Sequence, residues 1–180
     1  MRLSCEEIVQ VYKENRNALD KTIKNIVQLL DKRELKISTA ESCTGGLLSE
    51  LITDIPGASN VFEMGLCTYS NDVKHKLLGV PEDVLSEFGA VSPETARAMV
   101  MGLHKLSGAD LCISITGLAG PGGGTPECPV GTVFAGLIFG EKICTAHIKA
   151  YEMCEISRSN VRFAAAVCAF GIALKMLLEE

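Results

Sequence analysis

LKISTAESCTGG, residues 35–46, changes character half-way along. Leu35 to Ala40 is short and partly β-branched, the composition of a strand, and ESCTGG then supplies a tight turn into a helix over Leu47 to Thr53. Asp54-Ile55-Pro56-Gly57 closes that helix with breakers. A strand passing through a sharp turn into a helix is the building unit of an α/β domain.

Reading outward, the same alternation continues. Upstream, Ser4 with Glu6 and Glu7 reads as the capped start of one helix, and Ala18 to Leu30 as a second, with Leu19, Ile23, Ile26, Val27 and Leu30 at helical spacing. Downstream, a strand over Val61 to Tyr69 meets the cap cluster Ser70-Asn71-Asp72 and a short helix that Gly79 and Pro81 end. After a turn, Ser92-Pro93-Glu94-Thr95 opens a long helix running to about Ser107-Gly108. The strand Leu111 to Thr116 follows, then the loop GLAGPGGGTPECP. Val130 to Phe139 and Lys142 to Ala150 flank Gly140-Glu141 as an antiparallel hairpin, and a helix from Ile156 to Leu178 ends the chain. The predicted fold is a three-layer α/β/α sandwich with a mixed, mostly parallel sheet and a C-terminal β-hairpin. It forms a single domain over residues 1–180, of which 1–16 are a helical extension.

Composition narrows the function. With 180 residues, 47% apolar and 22% charged, the chain is an ordinary globular one. Its net charge is −5 and its Lys and Arg residues do not cluster, so no nucleic-acid surface is expected. The apolar stretch Phe163 to Leu174 is shorter than the roughly 20 residues that span a bilayer, so no membrane association is expected. The N-terminus carries acids where a signal peptide would be apolar, which predicts a cytoplasmic protein. Eight cysteines without a CxxC pair predict neither a metal site nor a disulfide framework. The apolar surplus predicts a homo-oligomer.

In open α/β sheets ligands bind beyond the carboxyl ends of the strands, and three polar, glycine-rich segments fall at such ends: ESCTGG, TYSNDVK and TGLAGPGGGTP. In the first, Ser42, Cys43 and Thr44 stand at the strand-to-helix transition, and Gly45 and Gly46 allow close backbone approach. Amides of the helix start could hold a phosphate, or the oxyanion formed when Ser42 attacks a carbonyl. Equally, Ser42 or Thr44 could do no more than cap the helix. The second segment offers Tyr69, Asn71 and Lys74. A serine needs a base, His75, His104 and His147 form no triad pattern, and a desolvated Lys74 near a tyrosine could serve. A solvated helix lysine is the plain alternative. In the third, Thr116 ends the most apolar strand, and Gly117, Gly120 and the following glycines could wrap an anion with backbone amides, or form a flexible surface loop.

The strings TAESCTGGLLSELITDIPGAS, TYSNDVKHKLLGV, GAVSPETARAM and SITGLAGPGGGTPECPVGTV resemble, in order and spacing, the C-terminal domain of the competence/damage-inducible CinA proteins. Stand-alone members of that family are nicotinamide-nucleotide amidohydrolases. The similarity runs from about Leu19 to the C-terminus, and nothing here matches the nucleotide-pyrophosphatase-like domain that precedes it in full-length CinA proteins. The resemblance implies hydrolysis of nicotinamide mononucleotide to nicotinic acid mononucleotide and ammonia, without metal or cofactor. By motif it implies Ser42 as nucleophile, Lys74 and Tyr69 handling its proton, and Thr116 near the site. Substrate contacts are then expected from Cys43, Thr44, Gly45, Gly46, Asn71, Gly117 and Gly120. For the phosphate the candidates are the glycine loop after Thr116 and Arg158, which stands near the place of a family Gly-Asp-Arg, with Arg162 as the alternative to Arg158. A non-catalytic nucleotide-binding or protein-interaction module is the competing reading, and a Cys43 nucleophile a third.

Overall fold

The computed structural model describes residues 16–179. The helix expected around Ser4 lies outside them. Helix α1 (Arg16–Lys32) opens the described chain, followed by β1 (Ile37–Glu41), α2 (Leu47–Thr53), a 3-10 turn at Ala58–Asn60 and β2 (Phe62–Cys67). Then come α3 (Asn71–Leu78), α4 (Glu82–Glu87), α5 (Pro93–Ser107), β3 (Leu111–Gly117), β4 (Thr132–Phe139), β5 (Lys142–Lys149), α6 (Ala150–Met153) and α7 (Arg158–Leu178). The sheet order is β2-β1-β3-β4-β5. β1 pairs parallel with β2 and β3, while β4 pairs antiparallel with β3 and β5. Only β4 therefore runs against the other described strands.

Local sequence explains the boundaries. Ser92 accepts the Thr95 amide at 3.1 Å with Pro93 in the first turn, and Gly108 at φ +66° ends α5. Ser70 caps α3 in the same way and Gly79 terminates it. Two short helices, α4 and α6, were not expected. Each is a turn or so long, below the length at which apolar periodicity registers.

Side-chain alternation along β3 separates two cores. Leu111, Ile113 and Ile115 face α1 and α7, whereas Cys112 packs with Val100 and Leu103 of α5. Leu19, Ile23, Ile26 and Leu30 of α1 are fully buried, each worth about 2 kcal/mol of transfer free energy. Helix α7 is long and apolar enough to cross a bilayer by length and composition. Here it packs Val161, Ala165, Phe170 and Ala173 into the core.

Parallel strands end on one edge, and the register sets their ends level. Glu41 of β1 stands beside Cys67 of β2 and Ile115 of β3. The ladder extends one step further, with the Ser42 amide donating to the Ile115 carbonyl (2.9 Å) and the Thr68 amide to the Glu41 carbonyl (2.8 Å). Ser42, Thr68 and Thr116 thus emerge together at this edge.

Candidate functional site

A cleft of about 310 Å³ opens at that edge, lined by Ser42, Cys43, Tyr69, Lys74, Ala90, Val91, the stretch 116–120, Gly122 and Arg158. Residues from all three polar segments meet there. A larger cavity, about 630 Å³ between α3 and α5, is lined mainly by apolar residues such as Leu77, Met101 and Leu106, with Lys105 its one charged residue and no serine, cysteine or histidine. The chemistry belongs to the smaller one.

Lys74 is 1% exposed, one of the largest fully buried side chains of the described chain. Its Nζ lies 3.1 Å from Ser42 Oγ and donates to the Tyr69 carbonyl, also at 3.1 Å. Burial pushes its pKa below the usual 10.5, opposed by the neighbouring Cys43. The Cys43 thiol is itself buried and is pushed up to about 12 by desolvation. Desolvation thus disfavours its thiolate at neutral pH.

Several sequence expectations change in detail. Tyr69 does not end the strand, because β2 stops at Cys67. Its side chain is 65% exposed at the cleft mouth, and its main-chain oxygen, not its phenol, holds Lys74. Asn71, exposed at the start of α3, is not in the cleft lining. Thr44, Gly45 and Gly46 sit behind the cleft rather than in its wall. Gly45 and Gly46 adopt φ of +58° and +96°, the left-handed conformation that the sharp turn needs. Thr116 is buried, and its hydroxyl donates to the Ala90 carbonyl, fixing the strap that forms one wall. His75 makes an exposed contact to Glu82 at 3.8 Å, between α3 and the start of α4 and outside the cleft lining.

The expectation that the amides of the α2 start would face a ligand is overturned by Glu41. Its buried carboxylate accepts the amides of Gly46 (3.0 Å), Leu48 (3.1 Å) and Ser49 (2.9 Å) and the Ser49 hydroxyl (2.9 Å). The Gly45 amide turns back to the Ser42 carbonyl at 3.2 Å. This leaves the Cys43 and Thr44 amides without a backbone acceptor among the described residues. The two arginines divide as well: Arg158 lines the cleft, whereas Arg162 donates through Nε (2.8 Å) and Nη2 to the Thr44 carbonyl. Sequence reasoning missed Glu41 and Ser49. An acid at the end of a buried strand, directly before an uncapped helix, was the available signal.

Comparison with known proteins gives one consistent result. The family model for the CinA C-terminal domain matches residues 19–177. A CinA-like protein of Thermotoga maritima is 55% identical over 118 residues, 66% of this chain and 29% of its own length. A putative competence-damage inducible protein of Caldanaerobacter subterraneus is 46% identical over 152 residues, 84% of this chain and 36% of its own. The chain spans about a third of the length of these curated relatives. Among solved structures, the competence/damage inducible protein CihA of Agrobacterium tumefaciens superposes with a TM-score of 0.82 at 37% identity, covering 87% of this chain and 95% of that one. A CinA-superfamily protein of Klebsiella pneumoniae gives 0.83 at 28% identity, covering 90% and 99%.

Proposed function

Since this chain belongs to the CinA C-terminal domain family, we propose that it is an amidohydrolase that converts nicotinamide mononucleotide to nicotinic acid mononucleotide and ammonia. The observation that carries the reading is the buried Lys74 amine 3.1 Å from Ser42 Oγ inside a cleft. A primary alcohol attacks an amide only when a base takes its proton, and an amine whose pKa is lowered by burial can do so near neutral pH.

In the proposed reaction, neutral Lys74 accepts the Ser42 proton as Oγ bonds to the carboxamide carbon. The amide of Cys43, which lines the cleft and has no backbone acceptor, stabilises the oxyanion. Collapse breaks the carbon–nitrogen bond, and the Lys74 ammonium returns its proton to the leaving nitrogen, which departs as ammonia. Water, deprotonated by the same amine, then attacks the ester on Ser42, releasing the carboxylate and restoring the hydroxyl. Ala90, Val91, Leu118 and Ala119 provide apolar walls for the pyridine ring, and Arg158 supplies a cation for the 5′-phosphate.

The purified protein is expected to release ammonia and nicotinic acid mononucleotide in equal amounts. If instead the mononucleotide raised the melting temperature and no product formed at high enzyme concentration, a binding module would replace this reading.

A further inference from the structure

We infer that Glu41 is a positioning residue for Ser42, acting through the turn 42–46, which it and Arg162 both hold. The inference rests on the amidohydrolase reading.

Glu41 is fully buried and pairs with no cation among the described residues. Its oxygens are satisfied by the three amides and the hydroxyl at the start of α2, and Ser49 Oγ is also 2.8 Å from Thr39 Oγ1 on β1. Four hydrogen bonds offset the burial of this carboxylate, whereas a Ser or Asn cap would satisfy only one or two of the same donors. What the carboxylate adds is reach: it ties Gly46, Leu48 and Ser49 to the last residue of β1, whose neighbour in the chain is Ser42.

The turn is also tied to α7, since Arg162 grips the Thr44 carbonyl with two nitrogens. Lys74 reaches Ser42 from a third element, α3. The 3.1 Å pair thus exists only while the turn keeps its place relative to α3. The same hydrogen bonds commit the neighbouring amides and leave those of Cys43 and Thr44 unspent.

Glu41→Gln keeps the size of the side chain but replaces one acceptor oxygen with an NH₂ donor. It is expected to lower kcat about 10- to 100-fold per folded molecule while KM stays within about twofold, the signature of a displaced nucleophile. Independently of catalysis, hydrogen exchange measured by mass spectrometry across residues 42–49 should quicken. Wild-type kcat per folded molecule, or unchanged exchange, would overturn the inference. If Glu41→Gln does not fold, Ser49→Ala decides: a several-fold loss in kcat at constant KM supports the role, and an unchanged kcat refutes it. If the wild-type protein makes no product at all, the amidohydrolase reading fails on its own, and the exchange measurement still tells whether Glu41 holds the turn.

Discussion

Lys74 Nζ lies 3.1 Å from Ser42 Oγ, although the two residues are 32 positions apart and sit on different elements. Burial lowers the pKa of this lysine from 10.5, and the neutral amine is the form that accepts a proton. The kcat/KM for nicotinamide mononucleotide should therefore climb with pH and level off below 10.5. A rate that instead declined with rising pH throughout the range below 10.5 would contradict a neutral Lys74 as the base.

The same shift makes a statement about stability. Because the folded pKa lies below the unfolded one, the unfolded chain binds more protons in the window between them, and stability rises with pH there. The cost of burying the ammonium is full below the folded pKa and fades as pH approaches 10.5. Lys74→Met has similar length and no charge. Its melting temperature relative to wild type should fall steadily across that window, and a pH-independent difference would contradict a depressed Lys74.

Gly65 on β2 stands beside Thr39, and a Cβ there would lie 2.4 Å from Ser49 Oγ. Ser49 is held by Glu41 and Thr39 and cannot swing away freely. Gly65→Ala should cost about 1–3 kcal/mol in urea unfolding. An unchanged midpoint would mean that the polar cluster beneath α2 yields easily.

Arg158 lines the cleft, whereas Arg162 is bound to a carbonyl. Arg158→Gln is expected to raise KM for the mononucleotide by at least about tenfold and to leave turnover of the phosphate-free nucleoside unchanged. Equal losses on both substrates would place the phosphate elsewhere.

The fold was legible because its signals are local. Ser70, Gly79, Ser92, Pro93 and Gly108 mark helix ends through hydrogen bonds made within a few residues, and the five strands stand where apolar, β-branched runs predicted them. The cleft was legible as three strand-end segments, since parallel pairing brings such ends to one edge. What escaped was which atom does what. The amides at the start of α2 were claimed by Glu41, the lysine by the Tyr69 carbonyl and Arg162 by the Thr44 carbonyl. These partners are chosen by three-dimensional proximity, to which local pattern is blind. Arg162 and Thr44 are 118 positions apart.

The most direct measurement compares ammonia release from nicotinamide mononucleotide by wild type, Ser42→Ala and Cys43→Ala at equal folded concentration. Ser42→Ala should lose at least about a thousandfold in kcat, and Cys43→Ala should keep activity within about fivefold. Activity surviving in Ser42→Ala but lost in Cys43→Ala would contradict the account, because the nucleophile would then be the thiol.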